Sequence, residues 1–111
     1  MTIAIDVEQH DGWEVVRVSG EIDIRTAPEL RDVLAGVLDK GAEKVVVDLE
    51  GVEFLDSTAL SVMVGAHKRL VRKGSRLVLV CTREPILRVL TVTGLSRVFT
   101  VHDRLDAVVE A

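Results

Sequence analysis

The run Val45-Val46-Val47-Asp48-Leu49 constrains the fold more than any other stretch of the chain. Three consecutive β-branched residues in an apolar segment predict a buried strand at the centre of a sheet, and Glu50-Gly51 after it reads as a turn. Asp56-Ser57-Thr58 then opens a helix-periodic segment that runs to Lys73. At about 100° per residue, Leu60, Met63, Val64, Leu70 and Val71 share one side, and Ser61, Gly65, Lys68, Arg69 and Arg72 share the other. Ser57 projects at the edge of the second set. The exposed side is therefore small near the serine and basic one or two turns later.

The flanking segments carry equally legible patterns. Met1 to Glu8 alternates through Ile3, Ile5 and Val7; His10-Asp11-Gly12 is a turn; Trp13 to Ser19 alternates again, and together they predict a β-hairpin. The second strand ends at Ser19-Gly20-Glu21-Ile22-Asp23. A helix follows from Thr26-Ala27-Pro28-Glu29, where Thr26 and Glu29 have the spacing of a capping box and Pro28 sits in the first turn. Leu30, Val33, Leu34, Val37 and Leu38 form its apolar stripe, and Gly41 ends it. Gly74 stops the central helix, Arg76 to Cys81 is the next strand, and Pro85 opens a short helix closed by Gly94. Val98 to Val101 reads as a last strand, and Asp103 as the cap of a final helix carrying Leu105, Val108 and Val109. The order ββαβαβαβα predicts an α/β fold: a mixed β-sheet with an N-terminal hairpin and about four helices, its later strands parallel through right-handed crossovers.

A chain of 111 residues is the size of one domain, so residues 1–111 are expected to share one core. Hydrophobic residues make up 48% but aromatics only 3%, so Val, Leu, Ile and Ala must fill that core. Trp13 is expected to close one end of it. The net charge of −4, with both signs mixed along the chain, argues against nucleic acid or an anionic membrane as the main partner. Cys81, the single cysteine, lies in an apolar run and is expected to be a buried reduced thiol. The first residues lack the basic start and apolar core of a leader, and no stretch approaches the ~20 apolar residues of a membrane span. A cytoplasmic location is the simplest expectation.

No Gly-rich phosphate loop, metal-ligand spacing or nucleophile elbow is present, so the sequence gives no support to an enzyme, a metal or a cofactor. His67 lies near the apolar side of the central helix and is expected to pack there. Glu21 and Asp23 form a polar loop. Asp48 stands at a strand end like the phosphoacceptor of a receiver domain, but the acidic metal ligands that chemistry needs after the first strand are missing. Asp56-Ser57 supports two readings. Either residue caps the helix and nothing more, or Ser57 presents its hydroxyl where free N–H groups and the helix dipole favour an added phosphate.

The SGEID turn, the VVVDLEGVEFLDSTAL segment, the late TGLSRVF and the HDRLDAV before the last helix resemble the bacterial anti-sigma factor antagonists of the STAS domain family, over essentially the whole chain. The resemblance implies a STAS-like fold. It also implies that Ser57, directly after Asp56, is phosphorylated by the partner anti-sigma factor, a serine kinase that brings its own ATP, and is reset by a phosphatase. Partner contacts are then expected at Asp23, Asp56, Ser57, Thr58, Ser61, Gly65 and Lys68, on a monomer or weak dimer. Ala59 stands where the family commonly has glycine, and its methyl group is expected either to hinder a partner's approach or to mark a subfamily. Two rival readings are a non-cycling scaffold subunit of a signalling assembly and a sensor holding a nucleotide or anion at the Ser57 helix start.

Overall fold

In a computed structural model that describes residues 2–109, strand β1 (Ile3–His10) pairs antiparallel with β2 (Trp13–Ile22). Asp11 and Gly12 make the two-residue turn with φ of 51° and 86°. Positive φ at both positions matches the right-handed twist of the flanking strands, and Asp-Gly is among the few pairs that adopt it readily. Met1, where the expected first strand begins, lies outside the described residues.

Helix α1 (Ala27–Asp39) leads to β3 (Val45–Leu55), and helix α2 (Ser57–Val71) to β4 (Leu77–Val80). Helix α3 (Glu84–Val92), a 3-10 turn (Leu95–Arg97), β5 (Thr100–His102) and α4 (Leu105–Val109) complete the chain. The strands lie in the order β1-β2-β3-β4-β5, with every pair after the hairpin parallel. The mixed α/β architecture expected from the sequence is therefore present.

Strand order that never reverses has a consequence for the layers. Right-handed crossovers that always step the same way must place their helices on the same face of the sheet. Accordingly, Leu30 and Leu34 of α1, Met63 and Leu70 of α2, and Ile86 and Leu90 of α3 join one core with Val16, Val47 and Leu79. The opposite face has a smaller cluster, Val15, Val46, Val78 and Val80, covered by Val108 of α4 and by Trp13 and Leu105. Trp13 packs, partly buried, against this smaller cluster and not against the main core whose end it is expected to close.

Several boundaries differ from the sequence expectation. Strand β3 does not stop at Glu50-Gly51 but continues to Leu55, because a register shift lets it keep pairing with β2 through Ser19↔Gly51 and Ile22↔Leu55. Gly51 is what allows this: a Cβ there would stand 2.8 Å from the Ser19 Cβ. The last strand begins at Thr100 rather than Val98, since the 3-10 turn consumes the preceding residues and buries Phe99. Helix α4 starts at Leu105, so Arg104, not Asp103, precedes it. In α2 the buried positions are Ala59, Leu60, Met63, Ala66 and Leu70, whereas Val71 is 52% exposed. The stripe 59, 63, 66, 70 is the one that faces the sheet, and Val71 is turned about 100° away from Leu70.

Candidate functional site

The extra length of β3 decides where the site lies. By pairing Ile22 with Leu55, it brings the loop after β2 and the loop after β3 to the same end of the sheet, and the Asp56 N–H donates to the Ile22 carbonyl at 3.2 Å. Asp56, in extended conformation, is the N-cap of α2: its Oδ1 accepts from the N–H groups of Thr58 at 2.9 Å and Ala59 at 3.2 Å. Ser57 is therefore the first helical residue and not the cap. Its side chain is exposed and makes no hydrogen bond within the described residues. An unoccupied hydroxyl at the positive end of a fifteen-residue helix is left facing solvent.

The exposed side of α2 continues from this serine. Thr58, Ser61, Val62 and Gly65 face Arg31 and Leu34 of α1 across a groove of about 390 Å³. Ser61 donates its hydroxyl to the Ser57 carbonyl at 3.0 Å, so it is satisfied inside the helix. A Cβ on Gly65 would meet nothing within 4 Å, so internal packing does not require glycine there. Arg69 at the groove's far end reaches Asp39 at 2.7 Å. Lys68 is exposed but does not line the groove.

Asp23 stands in the neighbouring loop with its carboxylate already engaged. Oδ1 accepts from the N–H groups of Arg25 at 2.9 Å and Thr26 at 3.2 Å, and the Arg25 guanidinium lies 3.6 Å from Oδ2. The Arg25 N–H foremost, with Thr26 and the Arg25 charge, holds the carboxyl below its ordinary value against the opposing effect of burial. The capping box expected at Thr26 and Glu29 does not form. Thr26 turns back instead, accepting from the Asp23 N–H at 2.9 Å and donating to the Glu21 carbonyl at 2.8 Å. The longer loop offers the hydroxyl better partners than its own helix does.

Of the seven residues expected at a partner contact, Asp56, Ser57, Thr58, Ser61 and Gly65 form one continuous strip, Asp23 lies beside its upper end, and Lys68 stands apart from the groove. Ala59 is fully buried, so its methyl group points into the core and not toward a partner; the expected hindrance has no structural basis. Sequence reasoning missed two exposed apolar residues at the same end of the sheet. Ile24, in the loop just past β2, is 72% exposed, and Phe54, next to last in β3, is 46% exposed. The only signal for Ile24 was an isoleucine stranded in a polar loop.

Elsewhere the chain offers little chemistry. His67 accepts the Leu77 N–H at Nδ1 (3.1 Å) and meets the Phe99 ring edge-on at 5.4 Å, the packing role expected of it. Burial, then the Arg76 charge, lowers its pKa. Cys81 is a buried free thiol, pushed up by burial. Among the described residues no cluster of His, Cys, Asp and Glu is placed to hold a metal ion, and no helix is long and apolar enough to cross a membrane.

The sequence pattern of the STAS domain matches residues 4–108. The chain belongs to the STAS domain family. This STAS domain is 35% identical to the anti-sigma-B factor antagonist of Staphylococcus epidermidis, over 93% of its own length and 95% of that protein's. It is 33% identical to the anti-sigma-B factor antagonist of Bacillus subtilis (strain 168), over 99% of this chain and 100% of the relative. The crystal structure of an anti-sigma factor antagonist from Mycobacterium paratuberculosis superposes with a TM-score of 0.92 at 35% identity, covering 98% of this chain and 92% of that one.

Proposed function

We propose that this chain is an anti-sigma factor antagonist, a single cytoplasmic STAS domain that binds an anti-sigma factor when Ser57 is unmodified and lets go when Ser57 is phosphorylated. The partner is a serine kinase. Ser57 Oγ takes the γ-phosphoryl group from its ATP, the hydroxyl proton leaves and ADP departs; a separate phosphatase resets the hydroxyl. The chain is thus the acceptor of a reaction and not its catalyst.

The observation that carries this reading is the free Ser57 hydroxyl at the head of α2, with Asp56 taking the capping duty that would otherwise occupy it. A phosphate there sits at the favourable end of the helix dipole, so the fold tolerates it. Beneath a bound partner the same group adds a charge of roughly −1.5 to −2. Desolvating that charge next to Asp56 costs several kcal/mol, and about 1.4 kcal/mol is already a tenfold loss of affinity. The contact surface in this reading is the strip Asp56, Ser57, Thr58, Ser61 and Gly65, with Asp23 and Lys68 at its edges and Ile24 and Phe54 as apolar anchors. Glycine at 65 costs the helix about 1 kcal/mol relative to alanine. Nothing inside the molecule uses the space it opens, which favours close approach by a partner.

The test is direct. Incubation with ATP and the candidate anti-sigma factor, followed by mass spectrometry of the peptide that contains Ser57, is expected to place one phosphate on that serine. Transfer to Thr58 or Ser61 instead, or no transfer to the wild-type chain, would overturn the assignment.

A further inference from the structure

A second concave site lies on the other face of the sheet and at its other end. Trp13, Lys44, Arg76, Val78, His102 and Val108 line a cavity of about 420 Å³ between the sheet and α4. That volume is in the range that holds small organic ligands. One wall is apolar, since Trp13, Val78 and Val108 belong to the cluster that also contains Val15, Val46 and Val80. The rim is cationic. Among the described residues neither Lys44 nor Arg76 forms an ion pair, and none that lines the cavity is a carboxylate. Two cations without an ion-pair partner among the described residues, set around one concave wall, stand out in a chain whose net charge is −4.

We propose that this cavity binds a small organic anion with an apolar body: an aryl or short acyl group carrying a carboxylate, sulfonate or phosphate. The body rests on the half-buried indole of Trp13, backed by the buried Val78 and Val108, and covering the exposed part of the indole removes apolar surface from water. The head group lies between Lys44 and Arg76, the guanidinium offering a paired set of donors to a planar or tetrahedral oxyanion. A wholly apolar molecule would leave both cations unneutralised, and a bare inorganic anion would make no use of the wall. The site is independent of the surface around Ser57. Val45, beside Lys44, and Leu55, beside Asp56, stand at opposite ends of β3, about 30 Å apart at roughly 3.3 Å per residue.

Trp13 is the only tryptophan, so its emission reports on the site. Titration of the intact chain with 8-anilinonaphthalene-1-sulfonate is expected to quench Trp13 saturably, with energy transfer to the dye. The uncharged homologue N-phenyl-1-naphthylamine is expected to bind at least about tenfold more weakly, as is the sulfonate to the double variant Lys44→Gln/Arg76→Gln. Arg88→Gln/Arg97→Gln, the same change in net charge at exposed positions of α3 and the 3-10 turn, is expected to leave binding unaltered, and so is Ser57→Asp. Because Lys44 and Arg76 are exposed, the double variant leaves the core intact, and its urea midpoint verifies this. Equal affinity for the uncharged dye, unchanged affinity in Lys44→Gln/Arg76→Gln, or an equal loss in Arg88→Gln/Arg97→Gln would overturn the proposal.

Discussion

Helices α1 and α2 start beside one another, each after a parallel neighbour in the sheet, and each start contains an aspartate and a hydroxyl residue. At the first, Asp23 and Thr26 satisfy one another and the backbone between them: the threonine both accepts and donates, and its oxygen is held on two sides. At the second, Asp56 covers Thr58 and Ala59 alone, and Ser57 is left over. The same residue types yield a closed loop in one place and an exposed, unengaged hydroxyl in the other. The difference lies in spacing. Thr26 comes three positions after Asp23, with Ile24 and Arg25 between them, enough for the loop to fold back on itself; Ser57 follows Asp56 directly and is carried onto the first turn of the helix, facing outward.

The contrast can be broken or sharpened by substitution, and the largest effect is expected at the free hydroxyl. Ser57→Asp should weaken binding to the anti-sigma factor by about 100-fold or more, read by calorimetry, since about 2.7 kcal/mol suffices for that loss. Full affinity in this variant would remove the switch. Thr26→Val, which keeps the shape but strands the Asp23 N–H and the Glu21 carbonyl, should cost about 2 kcal/mol of stability in urea denaturation. Ser57→Ala, by contrast, should fall within about 0.5 kcal/mol of wild type, because no bond is lost. Asp56→Ala lies between them at about 1 kcal/mol, the usual worth of a helix cap.

The smallest effect is a dependence on pH. Because the folded pKa of Asp23 is held below the ordinary value of 3.8, its contribution to stability is complete above that pH and is lost as pH falls through the folded value. The gap in denaturation midpoint between wild type and Asp23→Asn should therefore narrow on acidification below pH 3.8. A gap that stays constant would mean that the Asp23 network contributes through loop shape and not through charge.

Most of the architecture was legible in the chain because it depends on patterns local to each element. The apolar run at Val45, the alternation around Asp11-Gly12 and the stripe of α1 each declare one element and its inward face. What escaped depended on residues far apart in sequence. The reach of β3 past Gly51 is set by Ser19 on the neighbouring strand. The fate of the Thr26 hydroxyl is set by a loop that folds backward, although Thr26 marks the helix boundary correctly. Helical spacing groups Val71 with Leu60, Met63, Val64 and Leu70, yet α2 presents its small residues Ala59 and Ala66 to the sheet and leaves Val71 exposed. Within the candidate site, capping rules place Ser57 at a helix start but do not choose between it and Asp56 as the cap, which the hydrogen bonds of Asp56 decide. The apolar pair Ile24 and Phe54 was not legible, since only the extended β3 brings the ends of the two strands level.

The unreversed sequence of strands also bears on how the molecule is assembled. Every strand after the first docks on the one that left the ribosome just before it, so no early strand waits with its edge unpaired for a strand made at the end of translation; only the face around Val15 and Val46 waits for α4. Each crossover closes on an edge that already exists. The chain can be laid down as a progression, with the strand that delivers Ser57 already seated on β2 before β4 and β5 are added.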